Sequence, residues 1–440
     1  MFAIRTVRWW PKQIKPLWLI LSSQVCDGNS LGFKEITELA SQSIPTNLKK
    51  FFIINDPVYE INNALSQVSF NELTERNKLI RLISSESNVP LINRNLSKDF
   101  ENKNYILLID EIERKSNNNS YKPNPDKFDF FKGDRFLYHL LSKKFDFDDS
   151  YLITKSFSNK LFLKILAIRL IPLLTILLGT ILALKIFWKT ISLKKFGWQE
   201  IQPLDLKLID MVLLISGGFV VLGEVISPLF SISLVELFSE NISDELSQAL
   251  KIFFGYLFMA IPPILIVYYQ IKSLKGEFSL KKDYFQFKFL SIKDSIVNGV
   301  KGWLTIVPFV LLISLIMNTL ISNQNGSNPL LEIVLNNKNS FSFILLFVTT
   351  TLLAPFFEEV IFRGILLPTL SRNFGIIWGI IVSAFIFALA HLSVGEMPPL
   401  FVLGIGLGIT RIASGSLLSS VIMHSLWNGV TFLNLLLLRT

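Results

Sequence analysis

Apolar positions fall in short runs up to about residue 160 and in long ones beyond it. In the first stretch, Leu17–Val25, Phe51–Ile54 and Tyr105–Ile109 have the length of buried strands, while Val58–Ile83 carries an intermittent helical period. Four basic residues, Arg5, Arg8, Lys12 and Lys15, precede Leu17–Val25, so that run also resembles the apolar segment of a signal peptide. The following Ser22-Ser23-Gln24-Val25-Cys26 offers no small-x-small cleavage site, and the run is read as a strand. Lys115–Lys127 is rich in Asn and poor in apolar residues, which predicts a loop. Residues 1–160 are therefore expected to form a polar, mixed α/β region outside the bilayer, with no motif that specifies a chemistry.

From about residue 161 the runs lengthen to the ~20 residues that a helix needs to cross ~30 Å of hydrocarbon. They predict spans near 165–187, 209–232, 250–271, 302–322, 341–371, 375–394, 399–414 and 416–437, about eight in all. The expected fold is an all-α, polytopic membrane protein: extramembrane residues 1–160, a first group of transmembrane helices at 161–340, and a last group at 341–437. Basic loops tend to stay cytoplasmic. Lys189, Lys194, Lys195 and Lys207 follow the first span, and Lys272, Lys275, Lys281, Lys282, Lys288 and Lys293 follow the third, whereas Glu236, Glu240, Asp244 and Glu245 follow the second. Lys155, Lys160, Lys164 and Arg169 precede the first span and contradict that alternation, so the side of residues 1–160 stays open.

Composition agrees with a multi-pass membrane protein. Half the residues are hydrophobic and 18% are charged, against about a quarter charged in soluble domains. The basic residues flank apolar runs instead of clustering on a polar surface, which argues against nucleic-acid binding and for lipid headgroup contacts. One cysteine, Cys26, excludes an intramolecular disulfide and a thiolate metal site built by this chain alone. Three histidines, His139, His391 and His424, restrict where imidazole chemistry can occur.

From Phe341 onward only seven residues carry formal charge, and two of these are the adjacent Glu358 and Glu359. A charged group at mid-bilayer costs at least about 2.5–3.5 kcal/mol, so it needs a partner or a cavity. Glu359 and Arg363 stand at i and i+4 and can pair, which is the structural reading of half the motif. Glu358, about 100° around the helix, is left over and becomes the functional candidate. His391 closes Phe387-Ala388-Leu389-Ala390-His391 in the next span. If the two spans form an antiparallel hairpin, the midpoint of Glu358 and His391 is (358 + 391)/2 = 374.5, within Asn373-Phe374-Gly375, itself a turn signal. Acid and imidazole then reach similar depth. His424 and Asn428, at i and i+4 in the last span, project from one face and should turn inward.

One carboxylate, two imidazoles and an amide suit peptide hydrolysis. A carboxylate can act as general base on water with a neighbouring imidazole holding that water, while a second imidazole and an amide stabilise the oxyanion. Glu358, His391 and His424 also make an O/N ligand set acceptable to Zn²⁺, although there is no H-E-x-x-H. Ser383, Ser393 and Ser425 lack a nucleophile-elbow context.

The ordered trio Glu-Glu-x-x-x-Arg, Phe-x-x-x-His and His-x-x-x-Asn, over about residues 341–437, resembles the CAAX prenyl endopeptidase family of intramembrane proteases, also called Abi or CPBP. The resemblance implies an all-helical membrane fold with its site in a cavity between helices. It implies that Glu358 and His391 activate water, that His424 and Asn428 form the oxyanion site, and that the substrate is a membrane-associated protein or peptide. The family is described both as metallo-endopeptidases and as metal-free glutamate enzymes. Two other readings are a catalytically silent membrane scaffold and a transporter using Glu224, Pro228, Pro262-Pro263 and Pro308, the latter opposed by the lack of an internal repeat.

Overall fold

The computed structural model describes residues 31–53, 55–84, 100–118, 120–193, 197–199, 206–237, 242–273, 286–287, 290–320, 339–391, 393 and 395–437. The run Leu17–Val25, Cys26 and most of the loop lysines used to orient the spans lie outside these residues, as does the side chain of Glu224. The chain divides into two compact units, one within Cys26–Leu170 and one within Ile171–Leu436.

The first unit is helical wherever it is described. Its helices are α1 (Leu31–Ala40), α2 (Thr46–Phe52), α3 (Pro57–Ser66), α4 (Glu75–Ser84), α5 (Lys103–Asn117) and α6 (Arg135–Phe145), with a 3₁₀ stretch at Pro125–Gly133 before α6. Local sequence starts several of them. The Asp56 carboxylate accepts from the Val58 and Tyr59 amides with Pro57 at the first turn, and Asp134 accepts from Leu137. Its apolar core is built on Ile36, Ile61, Leu79, Leu108, Phe136 and Leu141. The strands expected at Phe51–Ile54 and Tyr105–Ile109 are not found among the described residues: Phe51 and Phe52 end α2, Ile54 lies outside the described residues, and the second run falls inside α5. A short apolar run cannot distinguish a buried strand from the buried face of a helix, and in α5 the buried Leu108, Ile109 and Ile112 have helical spacing. The predicted loop is also shorter, since α5 continues to Asn117 and the 3₁₀ stretch begins at Pro125.

The second unit contains the long helices. They are α7 (Lys155–Leu193, which begins in the first unit), α8 (Leu208–Glu236), α9 (Asp244–Ser273), α10 (Ile292–Leu320), α11 (Ser340–Phe374), α12 (Ile376–Ala390), α13 (Met397–Ser414) and α14 (Leu417–Leu437). Six of these eight, α7–α11 and α13, are long and apolar enough to cross a membrane. The expected sixth span shrinks to the 15 residues of α12, about 22 Å of helix and short of a full crossing. The expected eighth, α14, is 21 residues long but interrupts its apolar run with Ser419, Ser420, His424, Asn428 and Asn434. Exposed apolar side chains such as Leu177, Ile181, Leu184 and Phe187 line α7, as suits a surface facing hydrocarbon.

Two features of this unit position the site. First, α11 contains wide π-helical turns at Thr349–Leu353 and Val360–Leu366, one on each side of the acidic pair. Such turns recur at functional sites because they rotate the side chains that follow. Second, the chain reverses at Gly375, whose φ of +84° and ψ of 160° suit only glycine, and α12 returns along α11. The hairpin expected from the spacing of Glu358 and His391 is thus present.

Candidate active site

Glu358 and Glu359 end the regular segment Ala354–Glu359 between the two wide turns, and both are buried, Glu359 completely. Arg363, also fully buried, donates from Nη1 to Glu359 Oε1 at 2.8 Å and from Nη2 to the Gly404 carbonyl at 3.1 Å. Gly404 lets α13 pack closely on α12: a Cβ there would stand 3.0 Å from the Ala384 backbone. The Arg363 guanidinium also lies over the Phe387 ring, 4.3 Å from its centre.

His424 of α14 joins the same network. Its Nδ1 stands 3.0 Å from Glu359 Oε1, so that nitrogen donates its hydrogen to the carboxylate. Its Nε2 faces Glu358 Oε2 at 3.9 Å, a gap that one water can bridge. Glu358 Oε2, Glu359 Oε2 and Arg363 Nε are buried without a hydrogen-bond partner among the described residues. Three unmatched polar atoms in one cluster are unusual in a folded interior, and water or a ligand is the ordinary way to satisfy them.

His391 caps the C-terminal end of α12. Its Nδ1 donates to the Phe387 carbonyl at 2.8 Å, which fixes the tautomer and leaves the Nε2 lone pair for other work. Phe387 packs edge-on against both His391 and His424, with ring centres 4.8 Å and 5.7 Å apart. Glu358 and His391 line one cavity of about 390 Å³. Its opposite wall comes from α8 and α9, through Phe219, Gly223, Ile252, Gly255 and Met259. Asn428 is half-buried and donates from Nδ2 to the Thr350 carbonyl in the first wide turn, at 2.9 Å. One N–H of its amide remains after that bond.

Glu358, Glu359, Arg363 and His424 therefore converge, His391 shares the cavity with Glu358, and Asn428 is bonded to Thr350. Among the described residues no group of three or more His, Cys, Asp or Glu side chains is placed to hold one ion. His424 turns its Nδ1 to Glu359. Sequence reasoning missed Gly404, Thr350 and the α8–α9 wall. Gly404-x-Gly406-x-Gly408 was a readable sign of close helix packing, since small residues let helix backbones approach. Nothing local marked Thr350.

Comparison with known proteins bears on the segment that carries all six of these residues. Residues 340–430 match the type II CAAX prenyl endopeptidases, Rce1-like. This endopeptidase-like segment is about a fifth of the chain. Residues 30–163 match a separate family described as a domain of unknown function (DUF8675). An Escherichia coli protein described as an uncharacterized 24.3 kDa protein is 32% identical over 103 residues, covering 22% of this chain and 48% of that protein. The chain thus spans about half the length of that relative. No solved structure matches.

Proposed function

We propose that the protein is an intramembrane endopeptidase that hydrolyses a peptide bond of a membrane-associated protein or peptide with water activated by Glu358 and His391. The observation that carries this reading is the unpartnered Glu358 Oε2 beside a cavity that Glu358 and His391 both line. The match of residues 340–430 to CAAX-type endopeptidases supports the same reaction class.

In this mechanism one hydrogen of the water points to Glu358 and the other to His391 Nε2. Glu358 takes a proton as the water oxygen attacks the scissile carbonyl carbon. The C–N bond then breaks, and the proton held by Glu358 passes to the leaving nitrogen, giving a carboxyl product and an amine. Asn428, with its spare N–H, supplies the oxyanion donor, where one good donor contributes about 3–4 kcal/mol, beside His424, whose Nδ1 hydrogen is already given to Glu359. Arg363 and Glu359 hold His424 in place and do not touch the substrate.

Quantitative proteomics of membrane fractions from cells carrying wild type or Glu358→Gln tests the reaction. A precursor that accumulates only with the variant, and whose shortened product disappears, is expected. Identical membrane proteomes from the two strains would refute the proposal.

A further inference from the structure

The groups assigned to chemistry lie in the endopeptidase-like segment, whereas the wall facing them comes from α8 and α9, which lie outside residues 340–430. Recognition and chemistry are thus drawn from different parts of the chain. The wall is apolar, with Phe219, Ile252 and Met259, and it is anchored to the catalytic helix by the stacking of Phe219 on Phe357 at 5.9 Å and its edge contact with Phe362 at 5.4 Å. Among the described residues no lysine, arginine, aspartate or second glutamate lines the cavity, and its polar side chains are Glu358, His391 and Tyr256.

Two glycines set the depth of the wall. A Cβ on Gly255 would meet only Ser231 Oγ, at 3.6 Å, an ordinary contact, so a larger side chain can be carried there. A Cβ on Gly223 would stand 3.0 Å from Met259 Cγ, so Met259 already fills the space beside it. The volume, about 390 Å³, falls in the range that takes a sizeable apolar group.

We infer that α8 and α9 form the specificity wall of the site, with Gly255 and Met259 as its determinants, and that the cavity takes a bulky apolar side chain next to the scissile bond. This inference rests on the proposed peptidase reading, because the position of the scissile bond is taken from Glu358 and His391. With the carbonyl at those two groups, the neighbouring side chain has only the α8–α9 face to occupy. The effect follows pocket shape: one methylene too many or too few in a fitted apolar pocket changes discrimination by about tenfold to two-hundredfold.

The test uses the full-length protein in liposomes and does not depend on turnover. A single-span peptide carrying p-benzoylphenylalanine is photo-crosslinked, and the labelled segments are identified by mass spectrometry. Labelling is expected in α8 or α9 and should be displaced by the same peptide with Leu or Phe at the probe position, but not with Gly or Asp. Gly255→Leu should lower labelling about tenfold or more, and Met259→Ala, which deepens the pocket, should preserve or raise it. Labelling confined to other helices, no labelling at all, or labelling unchanged in Gly255→Leu would overturn the inference. If Gly255→Leu does not fold, loss of labelling in Met259→Ala would overturn it instead. Intact labelling together with identical membrane proteomes in wild type and Glu358→Gln would overturn the peptidase reading and leave the wall standing.

Discussion

Each unit of this protein buries a histidine between two carboxylates, and the two clusters differ in how completely they are satisfied. In the first unit His139 donates from Nδ1 toward Asp149 at 2.6 Å and stands 3.5 Å from Glu38 through Nε2, while Lys143 pairs with Glu38 and Ser142 donates to Asp149. Neither these carboxylates nor the imidazole leaves a buried polar atom without a partner. In the second unit His424 stands between Glu358 and Glu359 with one guanidinium for two acids, and three polar atoms are unmatched. A closed cluster rigidifies the fold around it, and an open one reserves its free valences for something else. Burial alone therefore does not mark a site; incomplete pairing beside a cavity does.

The strongest way to break this comparison is Glu358→Gln. On the proposed mechanism it lowers cleavage about 10²–10⁴-fold, with thermal unfolding in detergent little changed, because Glu358 Oε2 has no hydrogen-bond partner among the described residues and stands 3.9 Å from His424 Nε2. Glu359→Gln should behave oppositely. Removing one partner of a fully buried pair leaves Arg363 uncompensated and costs about 3–5 kcal/mol, measured by denaturant unfolding, and Glu359→Gln/Arg363→Gln should recover part of it. Gly375→Ala forces φ of +84° on a residue with a Cβ and should cost about 1–3 kcal/mol, seen as faster hydrogen exchange at the α11–α12 turn.

The smallest effect is a pH dependence confined to the first unit. Burial disfavours the His139 imidazolium, but its hydrogen bonds to Glu38 and Asp149 outweigh that and raise its pKa above the usual histidine value. A raised histidine pKa contributes stability that is fully present below the unfolded value of about 6.5 and is lost as pH rises through the folded value. Burial acts to raise the Glu38 pKa, yet His139 and Lys143 hold it below the ordinary range, so its contribution is lost on acidification through that lowered value. Exchange protection in α6 of the full-length protein, corrected for the intrinsic pH dependence of amide exchange, should fall as pH rises above the ordinary histidine range, and His139→Gln should remove that fall.

Much of the candidate site was legible because it depends on one helix pair. Counting from Gly375 places Glu358 and His391 at matching depth, and the i, i+4 spacing of Glu359 and Arg363 gives their ion pair directly. Contacts across long connections were not legible: His424 reaches Glu359 from 65 residues away, and the facing wall, from Phe219 to Met259, lies 99 to 139 residues upstream of Glu358. Helical periodicity fixes which face is apolar, not which neighbour covers it. In the first unit, runs as short as Phe51–Ile54 carry too few periods to separate strand from helix. The charges that matter there, Arg76 bridging Glu35 and Asp134, come from three separate helix neighbourhoods that no local pattern connects.

The most direct measurement is cleavage of a membrane-inserted peptide by wild type, Glu358→Gln and His139→Gln reconstituted side by side in liposomes. The open cluster should prove essential and the closed one dispensable: Glu358→Gln folded and silent, His139→Gln turning over at the wild-type rate near pH 6. Turnover retained by Glu358→Gln, or abolished in a folded His139→Gln, would contradict the account.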